Sequence, residues 1–260
     1  MTAETLPNGQ DQDRIQAWLA VCAPGGATEL TSARSVKRAV EREVWACSWS
    51  DGEPNDTGFL SIFKPGSLDS VNTSLAPHEA VEKCVLAMSE LPPLGIETPG
   101  VLGHAQIGDE AALLSTPVEP RPWMPESRVL AARVLARLHG LQEVRLSPRL
   151  RLLAKQSDPR EFRTTRGKAP APRYRTLVHG DYFSANLLPR PGGICVLDWE
   201  TFGLGDPMWD LGFLIGADRG LPTEEIVATI EAYSSDAPVD RIQLDWHTRR
   251  WEQSWKEREG

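Results

Sequence analysis

The chain has 260 residues, 40% hydrophobic and 25% charged, the composition of an ordinary globular protein large enough for one big domain or two lobes. A formal net charge of −8 argues against general nucleic-acid binding. No apolar run approaches the ~18 residues of a membrane helix, and the start lacks the basic-then-apolar pattern of a secretion signal.

In chain order, the first third reads as strands: Glu29 to Ala39, Glu43 to Trp49 and Gly58 to Phe63. Ser50-Asp51-Gly52 and Asn55-Asp56 supply the turn chemistry between them. Pro77 opens a helix in which Val81, Cys84, Val85 and Met88 recur at i, i+3, i+4 and i+7, and Pro92-Pro93 ends it. Val101-Leu102 and Ala111 to Ser115 read as two more strands about the Gly108-Asp109 turn. Residues 1–115 are therefore expected to form a sheet carrying one helix. Four prolines between Thr116 and Pro125 mark residues 116–125 as a linker. From 126 to 260 the chain turns helical. Ala131, Val134, Leu135 and Leu138 line one face that Gly140 terminates. Leu187-Leu188 and Ile194 to Leu197, about Pro189-Arg190-Pro191-Gly192-Gly193, read as a hairpin. Asp210 to Ala217, Thr223 to Tyr233 and Trp246 to Glu259 read as helices, the second with Thr223 as N-cap and with Ile226, Val227 and Ile230 facing inward. Sheet first and helices later gives an α+β class with two lobes.

Cys22, Cys47, Cys84 and Cys195 lie far apart, lack metal-ligand spacing, and read as reduced thiols of a cytoplasmic protein. Charge is uneven along the chain. Arg145 to Arg175 holds ten Lys or Arg against only Asp158 and Glu161, whereas Asp198 to the end holds fourteen acids and six bases. The basic stretch is either a phosphate-facing surface or a solvated loop; charge runs usually mean the second.

The strongest local signal is LVHGDYFSANLL followed by CVLDWE. Asp181 and Asn186 are five apart, and Asp198 follows twelve later across the hairpin. Phosphoryl transfer needs a carboxylate to orient the acceptor hydroxyl and take its proton, and oxygen ligands to hold Mg²⁺ on the phosphates. A loop followed by a hairpin can bring these three side chains together.

These residues resemble the aminoglycoside phosphotransferase and choline kinase-like family, which shares the bilobal protein-kinase-like fold. His179-Gly180-Asp181 with Asn186 is similar to its catalytic loop, and Asp198-Trp199-Glu200 stands where protein kinases carry D-F-G. Gly205-Asp206-Pro207 with Asp210-Leu211 resembles the family's next segment. The resemblance implies Asp181 as catalytic base, Asn186 and Asp198 as metal ligands, Mg²⁺ as the metal, and ATP or GTP as co-substrate. It implies that Asp210 buries its carboxylate against the loop backbone. It makes His179 a support for that loop rather than a second base, although imidazole chemistry alone permits either. Lys64, at the end of a strand in LSIFKPG, resembles the lysine that contacts the α/β-phosphates, with Glu79 as its expected partner and Glu82 as the alternative. Ser115, Thr116 and Val118 fall where the family holds adenine by backbone hydrogen bonds; Pro117 has no N–H to give, so Thr116 or Val118 has to supply it.

The chain departs from the protein-kinase pattern in two places. ARSVKRAVER, between the first two strands, contains no glycine where a Gly-rich loop would close over phosphate. The 54 residues after Asp206 are fewer than the family often has, implying a differently built acceptor pocket. Glu200, Asp206 and Trp199 are candidate acceptor contacts, because carboxylates and aromatic faces attract a basic substrate. The expected reaction is γ-phosphoryl transfer to a hydroxyl of an aminoglycoside or another basic antibiotic. Another small metabolite, or a nucleotide-binding module without catalysis, are the alternatives. The expected partners are a nucleoside triphosphate and a small acceptor, with no nucleic acid and no membrane.

Overall fold

A computed structural model describes residues 9–26, 29–38, 42–50, 56–65, 75–156, 171–218 and 220–259. Ala39, the Asp51-Gly52 turn, Asn55 and most of the basic stretch after Gln156 lie outside the described residues. The chain divides into two compact units, residues 1–89 with 99–118, and residues 90–98 with 119–260.

The first unit is built on a five-stranded antiparallel sheet: β1 (Glu29–Arg38), β2 (Arg42–Ser50), β3 (Asp56–Phe63), β4 (Val101–Ile107) and β5 (Glu110–Ser115), in the order β1-β2-β3-β5-β4. Strand alternation sends Trp45, Cys47 and Trp49 of β2 and Leu60 and Ile62 of β3 to one buried face. That face is covered by a helix absent from the sequence reading, α1 (Gly9–Cys22), whose Ile15, Trp18, Leu19 and Cys22 are buried in the same cluster. Its last turn sits so close to β4 that a side chain at Gly103 would place Cβ 1.8 Å from the Cys22 carbonyl oxygen. The first unit therefore contains two helices rather than one. The second is α2 (Pro77–Glu90), with Val81, Cys84 and Met88 buried as the spacing predicts.

Residues 90–98, which the sequence placed with the N-terminal segment, group with the second unit. Their backbone is the reason. Glu97 accepts from the Val196 amide at 2.8 Å, and the Gly95 carbonyl accepts from Arg137 at 2.9 Å. The rest of this unit is mainly helical: α3 (Pro125–His139), α4 (Pro148–Gln156), α5 (Pro207–Gly216), α6 (Thr223–Ser234) and α7 (Arg241–Glu259). Two small antiparallel ladders lie among them, β6 (Thr176–Val178) with β9 (Gly203–Gly205) and the hairpin β7 (Leu187–Arg190) with β8 (Gly193–Val196). Pro191 and Gly192 make the hairpin turn, Gly192 at φ 82°, the pairing of fixed and positive φ that a tight Pro-Gly turn requires. In α6 the N-cap is Pro222 and Thr223 is the first helical residue. Ile230 is buried as expected, but Val227 is exposed and Thr229 and Tyr233 complete the inward face, a shift of the apolar stripe by part of a turn. No helix among the described residues is long and apolar enough to cross a membrane, and the four cysteines are buried and unpaired by disulfides.

Candidate active site

The turn from β6 into residues 179–186 is held by side chains at the backbone groups of His179, Gly180 and Asp181. Asp210, fully buried in the first turn of α5, accepts from the amides of His179 at 2.7 Å and Gly180 at 2.9 Å. Thr201 donates to the His179 carbonyl at 2.9 Å, and the Trp209 indole donates to the Gly180 carbonyl at 2.8 Å. The Asp181 amide donates to His179 Nδ1 at 3.2 Å, and Asn186 Nδ2 donates to the Asp181 carbonyl at 3.0 Å. Buried amides and carbonyls cost free energy unless paired, so this loop has one low-energy course. Gly180 is integral to it: its φ is 89°, and a Cβ there would lie 2.7 Å from the Thr201 carbonyl oxygen.

His179 is itself buried, with Nε2 2.7 Å from the Leu197 carbonyl oxygen and its ring edge-on to Trp199 at 4.7 Å. Since Nδ1 accepts and Nε2 faces an acceptor, both ring nitrogens serve the fold. Asp210 is anchored from behind by His139 Nε2 at 3.2 Å, and His139 Nδ1 meets Tyr233 Oη at 2.7 Å. Nothing in the local sequence marks Thr201, His139 and Tyr233 for this support; they reach the loop from a 3-10 turn and two distant helices.

The held loop presents Asp181. Its carboxylate accepts from Asn186 Nδ2 at 2.7 Å, so the two residues five apart in sequence are in contact. The Asp181 carboxyl is pushed up to about 6, chiefly by burial, with the negative charges of Glu200 and Asp198 acting in the same direction. The His179 ring and the Asn186 hydrogen bond pull the other way. Asp198 follows β8 and is the one non-glycine residue with positive φ among those described, at φ 58° and ψ 64°. A left-handed conformation costs roughly 1–2 kcal/mol for an L residue; Asp tolerates it better than most, and such outliers gather at functional sites.

Two candidate acceptor contacts are corrected. Asp206 is buried: one oxygen caps α5 by accepting from the Met208 amide at 2.9 Å, and the other meets His247 Nε2 at 3.1 Å. Trp199 is fully buried and donates to the Val196 carbonyl at 3.1 Å. Neither presents a face to a ligand. Glu200 is half-buried and close enough to act on Asp181. In the same unit, Ser184 of the loop donates to Asp218 at 2.8 Å, and Asp218 is paired to buried Arg128 at 2.6 Å.

In the first unit, Lys64 is hydrogen-bonded to Glu43, with Nζ 2.5 Å from Oε1. The expected partner, Glu79, instead accepts from the Ala76 amide at 2.9 Å. As the third residue of α2 it satisfies the orphan N–H at the helix start. Burial alone would raise the Glu43 carboxyl, but the Lys64 hydrogen bond, the Arg14 charge and the Trp45 indole hold it below the usual carboxylate range. Ser115 ends β5, its hydroxyl toward the Phe59 carbonyl at 3.4 Å. Thr116 has both its amide and its hydroxyl engaged on Gly100, each at 2.8 Å, which leaves Val118 as the amide of the pair not committed in this way.

The phosphotransferase enzyme family (APH) model matches residues 73–251, more than half of the chain and all of the loop just described. The chain belongs to this family. It is 26% identical over 189 residues to thiamine kinase of Escherichia coli O157:H7, a match spanning 68% of this chain and 66% of that protein, a little under two thirds of the relative's length. Spectinomycin phosphotransferase, solved with ADP and spectinomycin, shares the fold at a TM-score of 0.63 and 13% identity, covering 94% of this chain and 84% of that one. A choline/ethanolamine kinase family protein from Mesorhizobium loti shares it at 0.56 and 17%, covering 95% and 85%. The chain thus belongs to a phosphotransferase family and has the protein-kinase-like fold of these solved structures.

Proposed function

We propose that the enzyme transfers the γ-phosphoryl group of ATP to a hydroxyl of a small, positively charged acceptor, with Asp181 as the base. The observation that carries this reading is the contact of Asp181 with Asn186 at 2.7 Å on a loop whose backbone is pinned at residues 179–181, in a setting where Asp198 and Glu200 add negative charge. A carboxylate raised to about 6 is poised to accept a proton near neutrality. The donor set suits a hard divalent cation: Asn186 uses its Nδ2 on Asp181 and keeps the carbonyl oxygen Oδ1 to offer, and Asp198 adds a carboxylate. Mg²⁺ bound there supplies charge neutralisation for the phosphates. Asp181 orients the acceptor hydroxyl and takes its proton, and Lys64 adds positive charge toward the nucleotide. Val118, rather than Thr116, provides the backbone amide for the adenine. GTP is the alternative donor.

For the acceptor, two classes fit the acidic surroundings of Asp181. Thiamine, a cation with a primary hydroxyl, is favoured by the likeness to thiamine kinase over 189 residues. An aminoglycoside or another basic antibiotic is the second class, and a resistance role attaches only to it. The test is acceptor-dependent ADP release from MgATP with thiamine, amino alcohols and aminoglycosides in parallel. A thiamine response with no aminoglycoside response selects the first class, the reverse selects the second, and no response from any hydroxylated cation contradicts the proposal.

A further inference from the structure

Four side chains of the first unit form one chain of charge: Glu110, Arg14, Glu43 and Lys64. Arg14, on α1, grips Glu110 through both carboxylate oxygens at 2.7 and 2.8 Å and reaches Glu43 Oε2 at 2.9 Å. Trp45 Nε1 also points at Glu43 Oε2, at 3.3 Å. The other oxygen, Oε1, takes Lys64. Glu43 is buried and opens β2 opposite Ile62 of β3. Alternation therefore puts residues 43, 45, 62 and 64 on one side of the ladder, with Lys64 one residue past the end of β3.

We infer that Glu43, fixed by Arg14 and Trp45, is the positioning residue that holds Lys64 for the nucleotide phosphates, in place of Glu79 on α2. The inference rests on the reading of Lys64 as a phosphate contact. A buried carboxylate with one oxygen tied to an arginine and an indole cannot swing away, so its remaining oxygen fixes where the ammonium sits. The anchor of Arg14 gives α1 a part in the chemistry: the helix that covers the sheet also sets the lysine. Glu79 serves the start of its own helix and is not needed for Lys64.

The experiment measures binding of MgATP, without acceptor, by calorimetry on the full chain, with a melting curve for each variant. Lys64→Met and Glu43→Gln are each expected to weaken binding by about tenfold, the worth of one hydrogen bond to a charged group. The double variant is expected to be no weaker than Lys64→Met alone, and Glu79→Gln to leave affinity unchanged. A purely structural Glu43 would lower the melting temperature without this coupling in affinity. Glu43→Asp, which keeps the charge for Arg14 but shortens the reach to Lys64, serves if Glu43→Gln does not fold, and is expected to weaken binding likewise. Loss of affinity in Lys64→Met with none in folded Glu43 variants overturns the inference alone. Unchanged affinity in Lys64→Met overturns the role of Lys64 and the inference with it.

Discussion

The loop from His179 to Asn186 and the surroundings of Lys64 were both marked by sequence, and they differ in how much of the marking the structure keeps. In the loop, contacts follow the chain: Asp181 meets Asn186 five residues on, and Asp210, in the next motif, takes the His179 and Gly180 amides. Around Lys64 the lysine meets Glu43 across the ladder while Glu79 turns back on its own helix. A turn with a positive-φ glycine and an adjacent hairpin leaves few ways to arrange its side chains. A pairing between a strand end and a separate helix depends on strand parity and helix placement, and two acids at suitable distances in sequence compete for one ammonium.

The largest expected effect tests the pinned half of that comparison. Asp210→Asn puts an N–H₂ where two backbone amides need an acceptor and removes a buried charge from His139. It is expected to cost ~2–4 kcal/mol and to lower the melting temperature by roughly 5–10 °C, with turnover falling further than stability explains. Ordinary turnover and an unchanged melt would mean that the loop does not depend on the buried carboxylate.

A smaller effect sharpens the electrostatic contrast, since Asp181 is raised and Glu43 is lowered from the ordinary carboxylate range. For Asp181 the native value, about 6, lies above the unfolded one. The stability it contributes is therefore present below the unfolded value and lost as pH rises through about 6. Asp181→Asn removes that loss. Without nucleotide or metal, the variant is expected to melt ~2–5 °C above wild type at pH 8, a figure reduced for the partial exposure of the group. The gap should narrow as pH falls below about 6. Equal melting curves at both pH values would remove the raised carboxyl from the account. Glu43 has the opposite sign: its contribution is kept at neutral pH and lost on acidification through its lowered native value.

The smallest effect concerns Glu79. Glu79→Ala removes one cap at the start of α2 and should cost ~0.5–1.5 kcal/mol, read in a denaturant melt, with MgATP affinity unchanged. A large loss of affinity would restore the acid of α2 as the partner of Lys64.

Sequence legibility follows the same division. The β2–β3 strands, the hairpin about Pro191-Gly192 and the apolar stripe of α2 were legible because period and turn chemistry are local. The first helix could have been found: Ile15, Trp18, Leu19 and Cys22 stand at i, i+3, i+4 and i+7, but one stripe on a helix rich in polar residues competes poorly with the strand pattern that follows. The burial of Trp199 and Asp206 was not legible. An aromatic or an acid beside a motif looks like a ligand contact until the packing of His179 and the position of His247 on α7 are known. Glu43 was hidden for the same reason, since only the β2–β3 register reveals that it stands beside Lys64.

The most direct test of the central claim compares wild type with Asp181→Ala for transfer of labelled γ-phosphate from MgATP to the acceptor that the screen identifies, with MgADP affinity measured on the same samples. The account predicts a loss of turnover of at least about 10²-fold with nucleotide affinity within a few-fold. Turnover close to wild type in a folded Asp181→Ala protein would contradict it.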